Sequence, residues 1–200
     1  MPAFDSAFLL RLLLCFLAGS IPFAILAMLG TGLDIRKVGS GNPGFNNVLR
    51  VSKARALLTL AGDMGKGLAA VALCRRPEDS MVVLWLYGFA AVLGHCFSPW
   101  LKFQGGKGVA TSAGVMLVLY PGWAAAALAF FTVVRVAGSK FKWREAGAIG
   151  SVAAWVAFTL LMFAFVRPLD GAIAALMTAF IAWRHRKNFQ NLLAPPQAAR

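Results

Sequence analysis

Residues 110–134 read ATSAGVMLVLY, then PG, then WAAAALAFFTVV. The two apolar runs flank Pro121-Gly122. At about 1.5 Å per residue, either run as a helix falls well short of a hydrocarbon layer about 30 Å thick. They form either one kinked helix or two short ones, and the choice sets the number of spans. The other apolar stretches lie at about 6–29, 56–74, 80–99, 147–166 and 171–184. Charge decides between six spans and seven. With seven, segments 31–55, 100–109, 135–146 and the tail from 184 share one face and hold fifteen of the Lys and Arg residues. The opposite face holds three, Arg75, Arg76 and Arg167. With six, the basic residues from Arg135 to Arg144 change sides and the bias is lost. The positive-inside rule therefore predicts an all-α polytopic membrane bundle of seven transmembrane helices, two of them short, with the N-terminus outside and the C-terminus cytoplasmic. Residues 1–194 are expected to form a single domain, and 195–200, which include Pro195-Pro196, a disordered tail.

Composition supports the class. Of the 200 residues, 60% are apolar and the mean hydropathy is +0.72, above the usual share for a soluble domain. Strand-like alternation is absent, which argues against a membrane β-barrel. The net charge of +13 is carried by residues that flank the spans, a pattern of orientation and of anionic lipid or substrate rather than of nucleic acid. Pro2 and Asp5 precede the first span where a signal peptide would carry basic residues, so that span is read as retained. Cys15, Cys74 and Cys96 show no paired spacing, so neither a disulfide framework nor a metal site is expected.

Two cytoplasmic loops carry unusual chemistry. Gly39-Ser40-Gly41-Asn42-Pro43-Gly44-Phe45-Asn46-Asn47-Val48-Leu49-Arg50 combines glycines that let the backbone turn toward a ligand with short donors and a guanidinium fork suited to phosphate. Gly105-Gly106-Lys107-Gly108 opens a helix, where free N–H groups and the positive dipole end would face an anion. It is not a nucleotide P-loop, because Gly108 stands where Ser or Thr belongs. A basic cluster, Trp183-Arg184-His185-Arg186-Lys187-Asn188, ends the last span, with His185 and Asn188 spaced to share a helix face. Inside the second span Asp63 and Lys66 are three apart, which predicts an ion pair fixing helix packing or supporting a site; His95, after Gly94, is expected to be buried and hydrogen-bonded. No Gly-x-Ser-x-Gly elbow occurs, and neither histidine starts a His-x4-Asp signature. Positioning and anion stabilisation are left as the available catalytic devices.

These pieces, in this order and together with Gly19-Ser20-Ile21-Pro22, resemble the PlsY family of bacterial membrane glycerol-3-phosphate acyltransferases over nearly the whole chain. The resemblance implies a seven-helix bundle in the bacterial inner membrane with its site facing the cytoplasm. It implies transfer of a fatty acyl group from acyl phosphate to the 1-hydroxyl of sn-glycerol 3-phosphate, the first acylation of phospholipid biosynthesis, without metal or cofactor. The implied partners are those two substrates, membrane lipid and a soluble enzyme that makes acyl phosphate, but no nucleic acid. By motif match Ser40, Arg50, Lys107, His185 and Asn188 are catalytic. Gly39, Gly41, Asn42, Asn46, Asn47, Gly105, Gly106 and Gly108 bind substrate. A further family serine, in a Ser-Leu-Ala-Ser-like segment, finds its counterpart in Ser151. Phe45-Asn46 depart from the family's usual Ala-Thr. Two rivals are a small organic-phosphate transporter and a lipid-binding scaffold. Polar motifs confined to one face disfavour the transporter, and glycine spacing in two loops disfavours the scaffold.

Overall fold

The computed structural model describes residues 5–194, so the expected disordered tail at 195–200 lies outside the described residues. Two compact units divide the chain, Met1–Pro121 and Gly122–Arg200. Both are built of helices, with no strand among the described residues.

In the first unit, α1 (Ser6–Ser20) starts at Asp5, whose carboxylate caps the Phe8 N–H. The apolar run expected as one span breaks at Pro22 and resumes as α2 (Phe23–Met28). Proline removes a backbone donor, and the carbonyls opened at the break find side-chain donors instead. Ile21 O accepts from Lys66 Nζ at 2.7 Å, and Ser20 O from Ser98 Oγ at 2.6 Å. A short turn, α3 (Phe45–Val48), closes the first glycine loop. Then come α4 (Lys53–Cys74), capped by Ser52, α5 (Met81–Cys96), capped by Ser80, and α6 (Val109–Leu119).

Packing in this unit relies on small residues. A Cβ on Gly19 would overlap the Ala91 carbonyl, and one on Gly94 the Phe16 carbonyl, so α1 and α5 cross nearly backbone to backbone. Gly67 meets Thr111 O and Gly114 meets Met64 O in the same manner, which brings α4 and α6 together. Between them α5 buries Val83, Trp85, Tyr87 and Val92, while Leu57, Leu58 and Leu73 stay more than half exposed. Such exposure is expected of a face that meets lipid.

Tyr120 leaves the helical conformation (φ −144°, ψ 65°), so α6 and α7 (Pro121–Lys140) are separate helices rather than one kinked helix. The second of the two runs is longer than expected, at twenty residues. Hydropathy stops at Arg135, but backbone hydrogen bonding does not, since long basic side chains reach back toward an interface. α8 (Ala146–Phe165) packs on α9 (Pro168–Arg184), joined by Thr159 Oγ1 and Thr178 Oγ1 at 2.8 Å. Asp170, in the first turn of α9, accepts from Arg167 at 2.7 Å. An amphipathic helix, α10 (Arg186–Leu193), follows. Five helical stretches, Ser6–Met28, Lys53–Cys74, Met81–Leu101, Pro121–Lys140 and Ala146–Phe165, are long and apolar enough to cross a membrane.

Candidate active site

The first glycine loop is held from within. A tight turn at Ile35–Lys37 starts at Asp34, whose carboxylate takes the Arg36 N–H and guanidinium. That hydrogen bonding holds the Asp34 carboxyl below its ordinary range. Asn47, almost fully buried, accepts the Ser40 N–H on Oδ1 at 3.0 Å and donates from Nδ2 to Ile35 O and Val38 O, both at 2.9 Å. Its carboxamide is therefore engaged by the loop, which makes Asn47 a shaper of the loop rather than the substrate donor expected from its sequence. Gly39 (φ +56°) and Gly41 (φ +69°) take left-handed conformations that favour glycine. Arg50 Nη1 lies 3.1 Å from where a Cβ on Gly39 would stand, so the guanidinium rests against the turn. Arg50 is exposed; its backbone N–H donates to Asn47 O at 3.2 Å, while its guanidinium makes no hydrogen bond or ion pair among the described residues. Ser40, Gly39 and Asn46 are also exposed. Ile35 and Val48, fully buried with Ala24, Met28 and Ala56, bolt the loop to α2 and α4.

The second loop is shaped by the end of α5. Lys102 and Phe103 turn left-handed, and the chain then folds back on His95 and Cys96. The Gly105 N–H donates to Cys96 O at 3.0 Å and the Gly106 N–H to His95 O at 3.2 Å. A Cβ on Gly105 would overlap His95 O, and one on Gly106 would overlap His95 Nε2. The expectation that both amides face a ligand is thereby corrected: these glycines permit close approach to α5. Gly108 (φ +86°) is the N-cap of α6, so the first-turn N–H groups of α6 have no intrahelical partner, and Lys107, half-buried, precedes them.

Beneath both loops lies a small cleft whose lining includes Pro43, Asp63, Lys66, His95, Ser98 and Gly106, but neither Arg50 nor Lys107. Asp63 and Lys66 pair at 2.7 Å with both side chains about 3% exposed, and His95 Nδ1 stands 3.4 Å from the same carboxylate oxygen. The predicted ion pair is present, and it lies under the glycine loops. A buried pair costs desolvation, offset here by the Ile21 carbonyl on Lys66 and the imidazole beside Asp63. Ser20 and Ser98 also belong here: Trp100 Nε1 donates to Ser20 Oγ at 2.8 Å, and Ser98 holds the Ser20 carbonyl. Ser20 was visible within Gly19-Ser20-Ile21-Pro22, whereas no local pattern marked Ser98.

In the second unit the basic cluster differs from its expected form. The helix breaks at His185 (φ −95°, ψ 3°), which ends α9 and caps α10, so His185 and Asn188 do not share one continuous helix face. The Asn188 N–H bonds His185 O at 2.8 Å, a cap rather than a mid-helix contact. His185 is buried, with Nδ1 2.8 Å from Ile181 O. A carbonyl only accepts, so Nδ1 donates in this contact. Asn188 Nδ2 donates to Glu145 Oε2 at 2.6 Å. Ser151 is buried within α8, and its hydroxyl donates to Gly147 O at 2.7 Å. Glu145 escaped sequence reading; its one signal is that it is the sole acid among the basic residues of 135–146.

A family model described as glycerol-3-phosphate acyltransferase matches residues 9–195. The chain belongs to the glycerol-3-phosphate acyltransferase family. It is 42% identical over 188 residues to glycerol-3-phosphate acyltransferase 1 of Deinococcus radiodurans, covering 93% of this chain and 92% of that one. The glycerol-3-phosphate acyltransferase of Rubrobacter xylanophilus is 41% identical, with coverage of 92% and 90%. Two crystal structures of the integral membrane glycerol 3-phosphate acyltransferase PlsY share the fold. The glycerol 3-phosphate form aligns with a TM-score of 0.81 at 33% identity, covering 94% of this chain and 92% of that one. The lysophosphatidic acid form aligns at 0.79 and 31%, with the same coverage. This acyltransferase is thus an integral membrane protein of the PlsY type, as the motifs suggested.

Proposed function

We propose that this acyltransferase moves a fatty acyl group from acyl phosphate to the 1-hydroxyl of sn-glycerol 3-phosphate, giving 1-acyl-glycerol 3-phosphate and phosphate. The observation that carries the reading is Arg50: an exposed guanidinium laid against a left-handed glycine turn, with no partner of its own among the described residues. Both substrates are phosphate anions, and a fork of donors on a preshaped turn suits them. Lys107, ahead of the α6 N-terminus, supplies a second cation with helix N–H groups beside it. His185 and Asn188 are assigned to the same substrates by their motif.

The acceptor oxygen attacks the acyl carbonyl carbon. A new C–O bond forms, the bond to the phosphate oxygen breaks, and phosphate leaves with the electron pair. An acyl phosphate is a mixed anhydride with a good leaving group, so the acceptor's own phosphate can take the hydroxyl proton and no strong protein base is needed. Arg50 and Lys107 hold phosphate charge as it develops. The reaction takes place at the cytoplasmic face of a bacterial inner membrane, a placement supported by the fifteen-to-three distribution of basic residues. Acyl phosphate then comes from a soluble enzyme on that side.

The test is the detergent-purified protein with acyl phosphate and glycerol 3-phosphate. One lysophosphatidic acid per phosphate released is expected, with no turnover of acyl-CoA. Equal turnover of acyl-CoA would overturn the donor, and absence of a lipid product would overturn the function.

A further inference from the structure

The joint between α8 and α10 gathers positive charge to which the reaction above assigns no part. Segments 139–145 and 183–194 hold six Lys and Arg against one acid, Glu145. That carboxylate is engaged by α10: Oε2 accepts from Asn188 Nδ2 at 2.6 Å, and Oε1 from Asn191 Nδ2 at 3.1 Å. Neighbouring Arg144 donates to the Asn191 and Ala194 carbonyls, so the loop before α8 and the helix α10 form one surface. The loop turns sharply. Lys142 (φ +54°) and Glu145 (φ +57°) are left-handed, a sparsely populated conformation for residues with a Cβ, and the Trp143 N–H closes on Gly138 O at 2.7 Å. The turn leaves Lys140, Phe141, Lys142 and Trp143 all exposed. On α10 Arg186 and Lys187 are exposed, and the Arg186 guanidinium lies 4.6 Å from the centre of the Trp183 ring.

The aromatics among these cations point to what covers them. Phe141 is 66% exposed and Trp143 46%. Charge alone would serve a soluble acidic partner. At a bilayer interface, by contrast, Trp sits at headgroup level while Lys and Arg reach anionic headgroups. The loop also continues a lipid-type surface, since Val133 and Val136, in the last turns of α7, are each more than 60% exposed. α10 repeats the mixture. Asn188 and Asn191 turn to α8, while Phe189, Leu192 and Leu193, at i, i+3 and i+4, share a second side next to the cations. We propose that the 139–144 loop and α10 form a binding surface for anionic phospholipid headgroups. Lys140, Lys142, Arg186 and Lys187 meet the phosphates, and Phe141 and Trp143 enter the interface. Lipid affinity is read without turnover, so this proposal stands or falls apart from the acyl-transfer reading.

Full-length protein in detergent, titrated with phosphatidylglycerol or phosphatidylcholine and read by native mass spectrometry, tests the surface. Phosphatidylglycerol should bind at least about tenfold more tightly than phosphatidylcholine. K142Q with K187Q removes two cations and should weaken phosphatidylglycerol about twentyfold, since each cation near anionic headgroups contributes about a factor of five. K142R with K187R keeps both charges and should stay within about twofold. K37Q with K53Q, an equal loss of charge at exposed positions elsewhere, should also stay within about twofold. All these variants leave Arg144 and Glu145, which hold α10, in place. Should K142Q disturb the left-handed turn, K140Q with K187Q serves the same comparison. In nanodiscs, amide exchange across 186–193 should be slower in equimolar phosphatidylcholine and phosphatidylglycerol than in phosphatidylcholine alone. An equal loss of affinity in K37Q with K53Q would reduce the effect to overall charge and overturn the site. Unchanged phosphatidylglycerol affinity in K142Q with K187Q would overturn the lipid assignment and favour an acidic protein as the occupant. Exchange indifferent to the lipid would overturn the part given to α10.

Discussion

Arg50 and Lys107 are basic residues among twenty, and what sets them apart is the backbone beside them. Arg50→Ala and Lys107→Ala should each lower kcat/KM about a hundredfold, the loss of roughly 3 kcal/mol of charge stabilisation in the transition state. Arg50→Lys keeps the charge without the fork and should also be impaired. Lys140→Ala is the fitting comparison: the residue is exposed, its ammonium lies over the Phe141 ring, and activity should stay within about twofold. Arg144 is no neutral control, because it holds carbonyls of α10. Rates per mole of folded protein check all four, and near-wild-type Arg50→Ala and Lys107→Ala would leave the loops without a catalytic part. Beneath the loops, Asp63→Ala strands the Lys66 charge in a buried site and should cost about 3–5 kcal/mol of stability. An Asp63→Leu, Lys66→Met double variant should recover part of that loss, though the Ile21 carbonyl then keeps only the Phe23 N–H as donor. Thermal unfolding in detergent gives the order, and a double variant less stable than Asp63→Ala would contradict it.

The first glycine loop holds its shape through one side chain. Asn47→Ala removes three hydrogen bonds to Ile35, Val38 and Ser40; both carbonyls keep one backbone donor, and the Ser40 N–H is left to find water. The expected result is faster amide exchange across 35–44, by about 1–3 kcal/mol of local stability, with α4 unchanged. Hydrogen-exchange mass spectrometry reads this peptide by peptide. Equal protection in the variant would show that the buried Ile35 and Val48 alone hold the loop. At this scale the sequence carried element type well and element ends poorly. Apolar periodicity marked each long helix. It missed the break at Pro22, the six further residues of α7 after 134, and the break at His185, because each depends on where backbone carbonyls find a donor.

For the whole molecule, topology is the open quantity, and charge bias gives it a direction. In a background lacking Cys15, Cys74 and Cys96, cysteines at positions 37 and 187 should react only from the cytoplasmic side of intact cells. One at 78 should react only from outside. All three positions are exposed, so lack of labelling reflects the membrane rather than burial. Labelling of 37 and 187 from opposite sides would falsify the seven-span arrangement.

The sequence by itself determined the class, the family and the basic residues worth testing. Composition fixes a lipid environment, and a motif is legible wherever its residues are neighbours in the chain, as with Gly39 to Arg50. Tertiary structure decided what the motif residues do. Two of the second loop's glycines serve contact with His95 rather than open amides, Asn47 braces its own loop, and Lys66, paired with Asp63, meets the Ile21 carbonyl beside a proline about forty residues away. It also brought forward Glu145, whose partner stands 43 positions on. The reason is physical. Close backbone approach and the orientation of a carboxamide depend on which groups a folded chain places within 3 Å, and distance along the sequence does not encode that.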